Sequence, residues 1–303
     1  MNKAAPAAFL FARTSVSSVQ ITDMKITSLI TGAIIFSFTA NAQVDSIARR
    51  DTVMYQRDSA IADNQDPTVT YFQQGEKAKD PGKIILLTKT GKTKTLQAFL
   101  SNPDMMYPDY VFDDIDSDGK KELLITSYTG GAHCCDELYF FKNIGPGKYQ
   151  QTAKLFGGHT LVTPKKQFVY TFVEQFGYFF TCYACGYVDT TDEAPIDMHA
   201  ITIRYNKGKL LVVPGDKELR SILLDNLGKL SEQPYEVIDE DLGQDNGLRK
   251  EFAMNLAVFY YSFGKNLTET KALFNRFYKF ADARKVWTAF STQIQYMKKD
   301  NDF

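Results

Sequence analysis

Tyr110-Val-Phe-Asp-Asp-Ile-Asp-Ser-Asp-Gly-Lys-Lys-Glu-Leu-Leu-Ile-Thr126 places two short apolar runs on either side of an acidic loop. The flanks Tyr110-Val-Phe112 and Leu123-Leu-Ile-Thr126 are β-branched and aromatic, which is the composition of strands. Between them Asp114, Asp116 and Asp118 alternate, Gly119 follows, and Glu122 stands four residues after the last Asp. Alternating carboxylates in a tight loop can converge on one point, and Gly permits the sharp turn. A hard cation such as Ca²⁺ needs that arrangement, because it takes several oxygen ligands at once. An EF-hand loop ends in a bidentate Glu at its twelfth position, but Ile125 stands there in this chain. The expectation is therefore a calcium loop held between strands rather than helices, with the ion acting as a structural clip.

Working outward, residues 68–215 alternate short β-branched and aromatic runs with turn residues, the pattern of antiparallel hairpins. Lys83–Thr88 and Thr93–Phe99 flank Lys89-Thr-Gly-Lys92. Glu137–Lys142 and Lys148–Leu155 flank Asn143-Ile-Gly-Pro-Gly147. His199–Tyr205 and Lys209–Val213 flank Asn206-Lys-Gly208. After Pro214 the character changes, and residues 216–303 read as a helical C-terminal unit. Phe252, Leu256, Phe259 and Phe263 make one stripe that Gly264 ends. Leu273, Phe277 and Phe280 make a second, and Val286, Phe290, Ile294 and Met297 a third. Such stripes are core faces. The predicted fold class is α+β: an antiparallel β domain of hairpins, followed by helices packed on it or on themselves. Asp239-Glu-Asp241 and Asp245-Asn-Gly247 have the wrong spacing for a second calcium loop and read as loop and helix cap.

The acidic loop and its flanks resemble one FG-GAP or VCBS repeat of the β-propeller type, whose strand-loop-strand unit carries D-x-D-x-D-G-x-x-D. Asp114, Asp116, Asp118 and Gly119 match, and Glu122 stands where the family usually has Asp. Leu138-Tyr-Phe-Phe-Lys-Asn-Ile-Gly-Pro-Gly-Lys-Tyr149 is similar to the family's closing hairpin. The resemblance covers about residues 110–153, one repeat unit, whereas a propeller needs several blades. It implies side-chain oxygens from Asp114, Asp116, Asp118 and Glu122, a backbone carbonyl from Lys120, and a binding or structural role.

At the other end of the chain, Met24-Lys25 precedes an apolar stretch and then Ala40-Asn-Ala42, the order of a secretory signal with a small-x-small cleavage site. The stretch is shorter than the ~20 residues that span a bilayer, so no transmembrane anchor is expected in the mature chain. Translation is expected to start at Met24, with residues 1–42 forming an upstream extension and cleaved signal, and 43–67 a polar linker. No Cys stands at the cleavage point to carry a lipid. The expected location is periplasmic or secreted. With 35 Lys+Arg against 36 Asp+Glu and no basic run, no nucleic-acid partner is expected, and the expected partner is an unknown protein or glycan ligand.

Four cysteines lie in the β region, Cys134-Cys135 and Cys182-Tyr-Ala-Cys185, and an even number in an exported protein points to disulfides. Neighbouring Cα atoms are only ~3.8 Å apart, so a Cys134–Cys135 bond would be strained. If Cys182 and Cys185 lie on extended chain they are about 10 Å apart and cannot bond each other. Cross-pairing between the two doublets is the arrangement this predicts. The alternative is a thiol-based metal or redox protein of the cell envelope, with His133 beside the thiols; His133 alone reads as a structural residue. No nucleophile elbow, His-Glu-x-x-His helix, phosphate loop or dinucleotide fingerprint is present, and His159 and His199 sit in no catalytic pattern. The expected protein is non-enzymatic.

Overall fold

Period-two alternation in the middle of the chain builds two sheets. The computed structural model describes residues 67–129, 136–157, 160–163, 165–183, 185–187 and 199–303, all within one unit spanning Ala60–Phe303. β1 (Ile85–Leu87), β2 (Thr93–Thr95), β3 (Met106–Asp113), β4 (Glu122–Tyr128), β5 (Asp136–Gly145) and β6 (Lys148–Phe156) form a six-stranded sheet in the order β2-β1-β6-β5-β4-β3. β7 (Thr160–Val162), β8 (Gln167–Thr171), β9 (Ala200–Asn206) and β10 (Lys209–Val212) form a four-stranded sheet in the order β10-β9-β8-β7. The three expected hairpins are present as β1–β2, β5–β6 and β9–β10. One described pairing departs from the antiparallel expectation: β1 lies parallel to β6, with Ile85 opposite Lys148. The second strand of the first hairpin is also shorter than expected. The Thr95 side chain accepts the N–H of Ala98 and so starts a helix, α2 (Leu96–Leu100), where a strand through Phe99 was anticipated.

Both faces of the six-stranded sheet are covered, which explains the continuous apolar run in β4. Leu124 joins Val111, Leu138, Phe140 and Ala153 in the main core. Leu123 and Ile125 point the other way, with Phe112, Phe141 and Tyr149, onto Leu86 and onto Leu96 and Phe99 of α2. The Phe140 ring stacks on Tyr205 of the second sheet at 5.4 Å, so the two sheets meet through aromatic side chains.

The helices complete the α+β fold. After α1 (Pro67–Gln74) at the start of the described chain come α3 (Lys217–Glu232), α4 (Leu248–Ser262), α5 (Leu267–Phe277) and α6 (Ala283–Asp300), with a small hairpin of β11 (Val237–Asp239) and β12 (Gln244–Asp245) before α4. The expected stripes form, and Gly264 follows α4 with φ 89°, a conformation that ends a helix. Phe280 lies beyond the end of α5 and packs from the following turn, against Tyr235 and Tyr278. Every residue of α4 is buried, and its Phe252, Leu256 and Phe259 share one core with Phe168, Tyr170 and Ile203 of the second sheet. The helices therefore pack on the β region. No helix among the described residues is long and apolar enough to cross a membrane.

Candidate metal centre

The acidic loop joins β3 to β4, which pair antiparallel with Asp113 opposite Glu122. Its turn is built from local side-chain to backbone bonds, the habit of Asp in loops. Asp114 accepts the N–H of Asp118 through Oδ1 and that of Gly119 through Oδ2, each at 3.0 Å. Asp118 Oδ1 accepts the N–H of Lys120 at 2.9 Å. Ser117 and Gly119 adopt φ of 59° and 85°, and at the second of these positions Gly carries no Cβ penalty. Asp116 reaches further: its Oδ2 accepts the N–H of Lys207, in the β9–β10 turn, at 2.7 Å.

Glu122 is the inner member, 1% exposed, and its Oε2 accepts the N–H of Ile115 at 3.1 Å. Burial is the main force that pushes its carboxyl up to about 7. The Ile115 N–H opposes that rise, and the carboxylates of Asp116, Asp118 and Asp114 add to it. The field extends to Tyr205, which is pushed up to about 12 chiefly by burial, with Glu122, Asp116 and Asp118 contributing.

Of the residues predicted as ligands, Asp114, Asp116 and Glu122 each present a carboxylate oxygen within 4.8 Å of the others. Asp118 is exposed and is not in that set, since its carboxylate serves the turn. Lys120 is likewise exposed on the turn. Asp113, adjacent in sequence, is taken up elsewhere: Lys166 Nζ donates to its Oδ1 at 2.8 Å and the Tyr71 hydroxyl to its Oδ2 at 2.9 Å. Lys166 also donates to the carbonyl of Asp114 at 2.8 Å, fixing the first turn of the loop. The roles of Lys166 and Lys207 depend on contacts across 52 and 91 residues, which no local pattern announces.

The donor set fits a hard cation. Three converging carboxylates, one of them buried, concentrate negative charge, and all of the donors are oxygen, which suits Ca²⁺ and not the soft metals.

The cysteine expectation needs correction. Cys182 is bonded to Cys185, not to the other doublet, with the two Cα atoms 5.0 Å apart. The segment turns rather than extends, and the Cys185 N–H donates to the Cys182 carbonyl at 3.1 Å, which brings the two side chains within bonding range. Cys134 and Cys135 lie outside the described residues, as do His133 and His159. His199 precedes β9, and its Nε2 lies 2.7 Å from Oε1 of Glu251 in the first turn of α4.

No protein-family model matches the chain, and no curated protein or solved structure matches it.

Proposed function

We propose that this is an exported, non-enzymatic calcium-binding protein, in which an FG-GAP/VCBS-like loop at Asp114–Glu122 clips together the β region that presents a surface to a protein or glycan. The observation that carries the reading is the convergence of Asp114, Asp116 and Glu122 oxygens within 4.8 Å around a carboxylate that is 1% exposed. Buried charge of one sign is costly without a counter-charge, and a divalent ion supplies it. The clip has something to hold: Asp116 reaches the β9–β10 turn while Asp114 and Glu122 stay with β3 and β4, so an ion among them ties the acidic loop to the second sheet. The β3-loop-β4 unit followed by the β5–β6 hairpin, as one antiparallel run, supports the resemblance to an FG-GAP repeat. The export signal Met24–Ala42 supports the compartment, where calcium is plentiful.

The test is a thermal melt of the protein in chelator, in millimolar Ca²⁺ and in millimolar Mg²⁺. Binding to the folded state alone raises the melting temperature with calcium concentration. A rise with Ca²⁺ and little with Mg²⁺ supports the reading, and identical melts in all three overturn it.

A further inference from the structure

The Cys182–Cys185 turn and the first turn of α4 enclose a cavity of about 390 Å³, distinct from the acidic loop. Val173, Met254 and Tyr187 line it together with His199, Lys250 and Glu251. That volume, with apolar walls and a few converging polar groups, is typical of small-molecule sites.

The polar groups differ in how they are partnered. His199 Nε2 sits 2.7 and 2.8 Å from the two oxygens of Glu251, so the imidazole ring occupies that carboxylate. Glu251 is also fixed by the side-chain amide of Asn255 at 2.8 Å. Lys250 is different. It is 5% exposed, and its Nζ donates to the carbonyls of Tyr183 and Cys185 at 2.8 and 3.3 Å, yet among the described residues no carboxylate lies within the 4.0 Å ion-pair distance. Glu174 is farther off and hydrogen-bonds the Tyr183 hydroxyl. Two carbonyls leave one of the three ammonium protons uncommitted. Burial accordingly holds Lys250 below the usual lysine range, although Glu251 and Glu174 pull the other way. A cation shut away from water without an anion is an expensive arrangement, and it becomes favourable when an anion completes it. Gly247, at the start of α4, also lines the cavity, so the positive end of the helix dipole adds to the same potential.

We propose that this cavity binds a small monocarboxylate, its anionic end on the ammonium of Lys250 and its apolar body against Val173, Met254 and Tyr187. The site needs no ion at Asp114–Glu122, so its test is run in calcium-containing buffer and stands apart from the calcium reading.

Benzoate and its neutral isostere benzamide are titrated into the whole protein and followed by ligand-observed NMR. The expected result is saturable benzoate binding, with benzamide weaker by about tenfold or more. Lys250→Met should erase that preference. A Cβ at Gly186 meets nothing within 4 Å, so Gly186→Phe should enter the cavity without displacing the fold and should block benzoate while melting like the parent. Equal affinity for benzoate and benzamide overturns the proposal, as does no benzoate binding at ~20 mM. Undiminished benzoate binding by Gly186→Phe overturns it as well, whether or not Lys250→Met folds.

Discussion

Asp116 Oδ2 accepts the backbone N–H of Lys207 at 2.7 Å, so the acidic loop of the six-stranded sheet is tied to the β9–β10 turn of the four-stranded sheet across 91 residues. Asp116 also brings an oxygen within 4.8 Å of Asp114 and Glu122, so substitution can separate the tie to Lys207 from the proposed metal site. Asn keeps an oxygen for the Lys207 N–H but removes the charge. Asp116→Asn should weaken calcium by about tenfold, ~1.4 kcal/mol, and should leave the chelated protein at least as stable as the parent because a repulsive carboxylate is gone. Calorimetric titration and paired melts check both halves, and a chelated variant that melts well below the parent would contradict the second.

Glu122 makes the metal-free protein sensitive to pH. Its carboxyl is raised from 4.5 to about 7, so the folded state holds a proton that the unfolded chain has already released between those values. Its stabilising contribution is therefore fully present below about 4.5 and is lost as pH rises through about 7. In chelator, urea midpoints should fall from pH 5 to pH 8. In Ca²⁺, which favours the ionised form, the fall should vanish or reverse. Glu122→Gln should flatten the chelated profile.

The Cys182–Cys185 bond closes a very short loop, so the chain-entropy account gives it only about 2 kcal/mol. A paired Cys182→Ser, Cys185→Ser variant should lose about that much in denaturant melts. Peptide mapping without reduction should recover Cys182 and Cys185 in one linked fragment. A fragment linking either of them to Cys134 or Cys135 would contradict the described pairing.

The tail after α6 covers a stretch of β6 that β1 leaves open. Among β6 residues β1 pairs only with 148–150, and beyond it Asn301 Oδ1 accepts the Phe156 N–H at 2.7 Å, while the Asp302 N–H donates to the Lys154 carbonyl at 3.1 Å and the Asp302 Oδ2 accepts the Lys154 N–H at 2.7 Å. Asn301 is 6% exposed, so Asn301→Ala strands a peptide donor and should cost about 1–3 kcal/mol in chemical denaturation. Asn301→Asp keeps the acceptor but sets a buried carboxylate oxygen against the Met297 carbonyl that the Asn301 amide now serves at 3.2 Å, and should cost at least as much.

Much of this architecture could be read from local pattern because local rules produced it. The β9–β10 and β5–β6 hairpins followed their turn residues, and the stripes of α4 and α6 followed helical spacing. α3 was equally legible: Asp216 caps it and Leu219, Leu223, Leu227 and Leu230 form its buried face, a signal that the sequence reading passed over. The rest depends on non-local contacts. The parallel β1–β6 pairing joins segments about 60 residues apart, a separation that alternation alone does not encode. The Cys182–Cys185 bond depended on whether the two cysteines lie on extended chain, and the extended assumption excluded the pair that forms. In the candidate metal centre the carboxylate spacing pointed to Asp114, Asp116, Asp118 and Glu122, of which Asp114, Asp116 and Glu122 bring their oxygens within 4.8 Å of one another. Spacing could not show that Asp118 turns to its own loop, or that Lys166 and Lys207 brace the site from the second sheet. The His199–Glu251 contact joins a residue before β9 to α4 and has no sequence signature.

Asp114, Asp116 and Glu122 are proposed to hold one calcium ion. Isothermal titration of Ca²⁺ into chelator-treated protein at pH 7.5 tests it most directly. The account predicts one saturable site per chain that is lost in Glu122→Gln. A titration with no heat beyond dilution, or an isotherm that Glu122→Gln leaves unchanged, would contradict it.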